Sequence, residues 1–147
     1  MCDTTFKTLE SAHKGDQFDW EQLKQKVKYD QDGLIPAIAQ QHDTKEVLMM
    51  AWMNDKALQE TLETGRVCYW SRSRQNYWRK GESSGQVQIL KSLSFDCDGD
   101  AILMQVDQTG PACHSGRRSC FYTQVEDGQA LITSDPLISP DELYGSK

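Results

Sequence analysis

Three of the five cysteines lie in polar segments where a thiolate can bind a metal ion. Cys113 and Cys120 are separated by six residues. This spacing matches none of the common structural zinc motifs, but it allows two thiolates of one loop to converge on one ion. Cys97 could supply a third ligand, and three protein ligands with an open fourth position are typical of catalytic zinc. The alternative is a small buried apolar residue, the interpretation that we keep for Cys2 and Cys68.

Three carboxylates, Asp96, Asp98 and Asp100, surround Cys97 and Gly99 in one short segment. Side chains alternate between the faces of an extended strand, so Asp96 and Asp98 are expected on the same face. Carboxylates this close repel one another unless a cation lies among them, and clusters of oxygen ligands suit a hard ion such as Mg²⁺. Because Asp-Gly is also a common turn pair, a hairpin turn without metal stays open as the alternative.

His114 follows directly after Cys113 and is a candidate for proton transfer. An unperturbed imidazole titrates near pH ~6.5, which suits general acid–base catalysis at neutral pH. His114 could instead be a fourth metal ligand or an ordinary surface residue, and the sequence does not decide between these roles.

The charge of the chain is unevenly distributed. The net charge is −6, which disfavours general nucleic-acid binding. Residues 66–80 nevertheless carry +5 without any Asp or Glu, which leaves −11 on the remainder. A basic segment in an acidic protein indicates a site for a small anion, although a solvated surface is the plain alternative. Aromatic residues lie between the arginines, as in proteins that bind single-stranded nucleic acid, but the acidic balance weighs against that function.

Bulk properties are consistent with an enzyme of the cytoplasm. A chain of 147 residues can form one domain with a hydrophobic core. No apolar run approaches the roughly 20 residues of a membrane span, so no membrane partner is expected. The first residues lack the basic start and apolar stretch of a signal peptide. The odd number of cysteines favours metal ligands or buried thiols over a disulfide framework.

Two short helices are predicted among the elements that must position these residues. The first lies in a polar leader, residues 1–27, and Asp19 is its predicted cap. The second covers residues 54–64, where Asn54 is the predicted cap and Gly65 the stop signal.

Strand-like runs make up most of the remaining chain. They are predicted at residues 34–40, 46–52, 67–70, 86–95, 101–106, 121–125 and 130–132. Residues 71–85 are predicted to form a polar loop. Val87, Ile89 and Leu93 are predicted to share one face of their strand. These patterns predict an α+β fold: a mainly antiparallel, curved β-sheet with one or two helices.

Five segments together resemble the phosphoribosyl-AMP cyclohydrolase family, which performs the third step of histidine biosynthesis. Their sequences are GLIPAI (33–38), LMMAWMN (48–54), SRSRQNYWRKGESSG (71–85), DCDGD (96–100) and CHSGRRSCFY (113–122). Several separate motifs in the right order make the resemblance specific. We therefore assign residues 28–125 to a domain of this family. The chain outside it is the leader, residues 1–27, and a C-terminal hairpin strand and tail, residues 126–147.

The resemblance implies a homodimer with a zinc site between the subunits. In that site Cys97 of one chain meets Cys113 and Cys120 of the other. It also implies Asp96, Asp98 and Asp100 as Mg²⁺ ligands, and His114 as a residue that transfers a proton. The family's stretch for binding substrate phosphate falls on Arg72, Arg74, Lys80, Ser83, Ser84 and Gly85.

The reaction that the resemblance implies is hydrolytic opening of the adenine ring of 1-(5-phosphoribosyl)-AMP. Zinc-bound water would add at C6, and the C6–N1 bond would then break. Three thiolates around a divalent ion leave a net charge of −1. This zinc should therefore lower the pKa of its bound water less than a zinc held by neutral histidines does. A nearby base such as His114 is therefore useful.

Two other functions stay open on the sequence alone. A structural zinc module that binds a partner or single-stranded nucleic acid would have a closed site of four ligands and would bind in a salt-dependent manner. Another zinc hydrolase of purine nucleotides, such as a deaminase, would release ammonia. Zinc deaminases carry the motifs H-x-E and P-C-x-x-C. Here Ser115 and Gly116 follow His114, so the glutamate of H-x-E is missing, and no P-C-x-x-C occurs in the sequence.

Overall fold

A computed structural model describes residues 4–82 and 84–139 and shows an α+β fold with a curled, mixed sheet. The strands of this sheet are β1 Ile35–Gln41, β2 Val47–Met53, β3 Cys68–Ser71, β4 Asn76–Arg79, β5 Gln88–Phe95 and β6 Ile102–Gln108. Their order in the sheet is β4-β3-β2-β1-β6-β5. A separate two-stranded sheet consists of β7 Thr123–Glu126 and β8 Gln129–Ile132.

Three α-helices and one 3₁₀ helix lie in the described part of the chain, more than the one or two helices predicted. They are α1 Phe6–Leu9, α2 Trp20–Leu23, the 3₁₀ helix Lys24–Lys26 and α3 Asp55–Thr64. The prediction of α3 is confirmed: Asn54 accepts a hydrogen bond from the Ala57 N–H at 2.9 Å, and Gly65 ends the helix at φ 77°. None of the helices in the described residues is long and apolar enough to cross a lipid bilayer.

The N-terminal helices pack against the end of β5. The Phe6 and Trp20 rings lie 5.4 and 5.6 Å from the Phe95 ring, measured between centroids. The predicted helix near Trp20 is present, but its α-helical part is a single turn and the Asp19 side chain makes no capping hydrogen bond. The α1 helix was not predicted. A capping box between Thr5 and Thr8 begins it, a weaker signal than the usual Glu or Gln pairing.

The sheet is mainly antiparallel, as predicted, but it contains one parallel pair that was not predicted. The β1 strand pairs antiparallel with β2 but parallel with β6, with Ala37 opposite Ile102. A parallel pair needs a long crossover connection, because the chain must return to the same end of the sheet. Here residues 42–101 form that connection. No local pattern marks such a pairing, which is why the sequence did not predict it.

Residues 71–85 are not a loop throughout, which corrects a second prediction. The β4 strand pairs antiparallel with β3, with Trp70 opposite Tyr77 and Tyr69 opposite Trp78. The ring centroids of these two pairs lie 5.0 and 5.4 Å apart. Aromatic pairs across two strands stabilise a hairpin, so the aromatic residues among the arginines have a structural role.

A bulge at Lys91 reverses the side-chain alternation of β5. Before the bulge, Gln88 is buried and Ile89 is 37% exposed; after it, Leu93 packs against the core. The prediction that Val87, Ile89 and Leu93 share one face is therefore wrong. The extra residue changes which positions point inward, and strict alternation cannot anticipate it.

The sheet curls until its two ends approach each other. The Val67 N–H donates to the Gln88 carbonyl at 3.1 Å, and the Leu90 N–H donates to the Gly65 carbonyl at 2.7 Å. The edge strand β5 thereby pairs with the residues that lead into β3. The buried side chains of the core include Ile35, Ala37, Ala39, Met49, Met53, Tyr69, Ile102, Met104 and Val106.

The C-terminal hairpin is confirmed. Asp127 and Gly128 have φ values of 51° and 76°, the left-handed conformation that a two-residue turn of type I′ requires at both positions. Every residue of β7 and β8 is exposed in the single chain, and Val125 is 79% exposed.

Candidate functional site

The loop after β6 folds back on itself and brings two thiols together. The Gly116 N–H donates to the Cys113 carbonyl at 2.9 Å, and the Cys113 N–H donates to the Arg117 carbonyl at 3.1 Å. Gly116 has φ 88°, a conformation that favours glycine, and it makes this tight return possible. As a result, the thiols of Cys113 and Cys120 lie close enough to influence each other's pKa.

The second half of the loop is attached to the β2 strand. The Cys120 N–H donates to the Leu48 carbonyl at 2.7 Å. The Ser119 hydroxyl donates to the Val47 carbonyl, also at 2.7 Å. Because β2 is an interior strand of the sheet, Cys120 has a fixed backbone position.

Arg118 ties the same loop to β1 and β6. Its Nη1 donates to the Gln108 and Gly110 carbonyls at 2.8 and 2.6 Å. Its Nη2 donates to Gln41 Oε1 at 2.8 Å, and Gln41 is a buried residue of β1. The guanidinium therefore holds both the start of the loop and the neighbouring strand, a role that the sequence did not indicate.

The two thiols of the loop have different proton affinities. Burial and the adjacent Cys113 raise the pKa of Cys120 to about 12. Burial also acts on Cys113, but hydrogen bonds from the Ser115 hydroxyl at 3.1 Å and the Ser115 N–H at 3.5 Å hold the pKa of Cys113 below its ordinary value. Cys113 is therefore the more readily ionised of the two.

Lys80 lies beside the thiol pair and is only 5% exposed. Its Nζ donates to the Ala112 carbonyl at 2.7 Å and lies 5.5 Å from the centroid of the Trp78 ring. Burial lowers the pKa of Lys80, whereas electrostatic interaction with Cys120 and Cys113 acts in the opposite direction. The structure thus places Lys80 with the cysteines, at the opposite end of β4 from Arg72 and Arg74.

The other two basic residues of the predicted phosphate stretch lie together in one turn. Arg72 and Arg74 belong to the turn between β3 and β4. The Arg72 guanidinium lies 4.7 Å from the centroid of the Trp52 ring, beside a cleft of about 590 Å³ that Trp52 and Trp70 also line. Trp52 was not predicted as a site residue, since a tryptophan in an apolar strand is usually core.

Ser84 and Gly85 follow the end of β4, in a turn where the Gly85 N–H donates to the Gly81 carbonyl at 2.8 Å. Ser83 lies outside the described residues. His114 is exposed and lies directly after Cys113 in the loop.

The acidic segment forms the turn between β5 and β6 and gathers its three carboxylates. Oxygens of Asp96, Asp98 and Asp100 lie within 4.8 Å of one another. The Asp100 N–H donates to Asp96 at 3.0 Å, which lowers the pKa of Asp96. The hydrogen bond between the two carboxyl groups raises the pKa of Asp100. The hairpin turn is thus present and its carboxylates lie close together, whereas the metal site stays a prediction.

Cys97 lies in the acidic turn, exposed, beside an apolar cleft of about 340 Å³ lined by Phe6, Leu9 and Phe95. The turn precedes β6, whereas the loop with Cys113 and Cys120 follows it. The seven residues of β6 span about 20 Å. The structure of one chain therefore brings Cys113 and Cys120 together and leaves Cys97 at the other end of the strand.

Comparisons with known proteins agree on one family. Residues 49–122 match the family model described as phosphoribosyl-AMP cyclohydrolase. The phosphoribosyl-AMP cyclohydrolase of Hydrogenovibrio crunogenus is 74% identical over 140 residues, 95% of either chain. That of Halorhodospira halophila is 58% identical over 136 residues, 92% of this chain and 96% of the relative. That of Chromohalobacter salexigens is 60% identical over 142 residues, 97% of either chain.

Proposed function

The chain belongs to the phosphoribosyl-AMP cyclohydrolase family, and we propose from this membership and from the site how its residues carry out the reaction. It is a hydrolase of histidine biosynthesis that opens the adenine ring of 1-(5-phosphoribosyl)-AMP. Water supplies the oxygen that joins C6, which becomes the carbon of a carboxamide. The C6–N1 bond breaks and N1 leaves with a proton, so no ammonia is released.

We propose that Cys113 and Cys120 bind a zinc ion. Thiolates are ligands that zinc prefers, and these two thiols are neighbours on a loop that β2 and Arg118 hold in place. The proximity of two thiols on a fixed loop is the observation that carries the proposal. Free thiols require a reducing compartment, in agreement with a cytoplasmic location.

The third ligand of the proposed site is Cys97 of a second copy of the chain. Within one chain, β6 separates Cys97 from the other two thiols by about 20 Å. In a two-fold homodimer, each copy can give its acidic turn to one site and its cysteine loop to the other, so two equivalent sites form. Three thiolates would leave one ligand position open.

A zinc ion held by these thiolates would act as a Lewis acid and lower the pKa of a bound water molecule. We assign the movement of protons to His114, which is exposed and adjacent to Cys113. A neutral imidazole accepts the proton that the attacking water loses, and the imidazolium returns a proton to N1 as the ring opens.

The substrate has two phosphates, and we propose that Arg72 and Arg74 bind at least one of them. Both arginines lie at the turn of one hairpin, and an arginine gives a phosphate two parallel hydrogen bonds. The backbone N–H of Ser84 is a proposed donor for the other phosphate, whereas the Gly85 N–H is already bound to the Gly81 carbonyl at 2.8 Å and Ser83 lies outside the described residues.

We propose that Asp96, Asp98 and Asp100 hold Mg²⁺. Their oxygens lie within 4.8 Å of one another in an exposed turn, so a hard cation could bind several of them without a change in the backbone. Such an ion would offset the repulsion among the carboxylates next to Cys97.

The function is tested by incubating the protein with phosphoribosyl-AMP and following loss of the absorbance of the intact purine ring. We expect a chelator to lower the rate at least about tenfold, and Zn²⁺ to restore it, whereas Mg²⁺ alone should not. Cys113→Ser should lose both zinc and activity, whereas Cys68→Ala, a change at a buried thiol away from the site, should keep both. Release of ammonia, or full activity without zinc, would contradict the proposal.

A further inference from the structure

Lys80 carries a buried positive charge for which the described residues offer no carboxylate. It is the one lysine, arginine, aspartate or glutamate that is buried within residues 4–82 and 84–139. None of the ion pairs in this part of the chain includes it. Its hydrogen bond goes to a neutral backbone carbonyl, that of Ala112, at 2.7 Å. Burial of an ammonium group without a counter-charge is costly, so the functional state of the protein should supply one.

The thiol pair is the source of negative charge that Lys80 faces. Ala112 directly precedes Cys113, so the hydrogen bond to its carbonyl fixes Nζ next to the loop that carries both thiols. Lys80 interacts electrostatically with Cys113 and with Cys120. Two thiolates balance a divalent ion, and a third leaves one negative charge in excess. One buried ammonium group offsets that excess.

We propose that Lys80 is a positioning residue whose ammonium group is the permanent counter-charge of the metal–thiolate site. It acts through the thiolates and does not contact the substrate. This inference rests on the proposed zinc site, and it gives Lys80 a different role from the phosphate binding that the family resemblance implied.

Burial and contacts argue against phosphate binding by Lys80. A phosphate ligand must present its ammonium group to solvent before the substrate arrives, but Lys80 is 5% exposed. Its Nζ is already bound to Ala112 and lies 5.5 Å from the Trp78 ring centroid. Arg72 and Arg74, in contrast, are exposed at the hairpin turn.

The test compares two neutral variants, Lys80→Met and Lys80→Gln, with the charged variant Lys80→Arg. The glutamine amide can still donate to the Ala112 carbonyl, so it separates loss of the charge from loss of the hydrogen bond. Lys91→Met is the matched control, because it removes the same charge from an exposed position in β5. Affinity for Zn²⁺ alone is measured by competition with a chromogenic chelator, without substrate.

We expect both neutral variants to bind Zn²⁺ about 10- to 100-fold more weakly, because a unit charge near the site is removed. Lys80→Arg should stay within about fivefold of the parent protein, and Lys91→Met should not change. The rise in Tm that Zn²⁺ causes should be smaller in the neutral variants than in the parent. With zinc saturating, KM for the substrate should stay within about threefold, because no substrate contact is lost.

Unchanged Zn²⁺ affinity together with a raised KM would overturn the inference and identify Lys80 as a phosphate ligand. Weak Zn²⁺ binding by Lys80→Met with normal binding by Lys80→Gln would also overturn it, because the hydrogen bond would then be the cause. A parent protein that binds no Zn²⁺ would overturn the zinc site itself, a result that differs from either of these.

Discussion

Neighbouring residues of the same type have different environments in the cysteine loop. Arg117 donates to the Ser134 carbonyl at 2.7 Å and lies 4.1 Å from the Tyr122 ring centroid, so it contacts the C-terminal segment. Arg118 instead reaches the Gln108 and Gly110 carbonyls and the Gln41 side chain. Only the second arginine connects the thiol pair to the sheet, which makes the two residues a matched pair for experiment.

Replacement of Arg118 by lysine should loosen the loop although the charge is kept. A lysine cannot reproduce the planar set of donors, so carbonyls such as that of Gly110 lose a partner. We expect the free energy of unfolding to fall by about 2 kcal/mol and Zn²⁺ affinity to fall about tenfold. Arg117→Lys should change the unfolding free energy by less than about 0.5 kcal/mol. Urea denaturation and chelator competition measure both quantities, and equal effects of the two changes would contradict this role of Arg118.

Residue types in the sequence indicated the candidate reactive groups, but not the residues that hold those groups in place. Thiols and carboxylates in polar segments are candidate metal ligands, so Cys113, Cys120 and the three aspartates could be proposed from the sequence. Arg118 lies 77 positions from Gln41, and Lys80 lies 32 positions from Ala112. Contacts over such distances follow from tertiary packing, and no local pattern contains them.

At the scale of elements, the two predicted helix caps provide a comparison within one chain. Asn54 begins α3 and accepts the Ala57 N–H at 2.9 Å. Asp19 begins α2 without any capping hydrogen bond from its side chain. Asn and Asp are equally favourable at the N-cap position. The difference between the two caps therefore comes from the position of the side chain relative to the backbone N–H groups, not from the N-cap preference of the residue type.

Asn54→Ala should therefore destabilise the protein by about 1 kcal/mol, the usual cost of a lost N-cap bond. Asp19→Ala should change the free energy of unfolding by less than about 0.5 kcal/mol, because no such bond is lost. Asp19→Ala lies away from the proposed site, so its kcat with zinc saturating should stay the same. Asn54 lines a cleft together with Arg72, so the two variants are compared by stability alone. Thermal unfolding gives the comparison, and a larger loss in the Asp19 variant would show that the cap assignment is wrong.

The elements that the sequence predicted well are those whose determinants are local. Asn54 and Gly65 delimit α3 through contacts within the helix, and Asp127-Gly128 defines its own turn. The parallel pair of β1 with β6 and the bulge at Lys91 depend on distant strands, and both were missed. The β3 strand was predicted, but β4 was missed because it is only four residues long and lies within a polar segment that contains several arginines.

At the scale of the molecule, β6 separates the acidic turn from the cysteine loop. The turn before the strand carries Asp96, Asp98 and Asp100, and the loop after it carries the two thiols. The proposed shared site therefore requires a two-fold assembly in which the turn of each copy meets the loop of the other. In such an assembly, Cys97 would approach the thiol pair of the partner.

This arrangement predicts complementation between two inactive variants. Cys97→Ser keeps an intact cysteine loop, and Cys113→Ser keeps an intact acidic turn. A mixed dimer therefore contains one complete site and one doubly defective site. After random exchange of subunits, activity should reach about a quarter of the parent value, since half of the dimers are mixed. Turnover of phosphoribosyl-AMP is the measurement, with native mass spectrometry to confirm exchange.

The control is a mixture of Cys113→Ser with Cys120→Ser. Both changes lie in the same loop, so every site in every dimer lacks one loop thiol and no activity should return. Recovery in the first mixture and not in the second requires that a complete site takes its ligands from two chains. Exchange without recovery in either mixture would mean that Cys97 does not serve the partner's thiols. In that case Cys113 and Cys120 would bind the metal with a further ligand from the same chain, because β6 keeps Cys97 of that chain too far away.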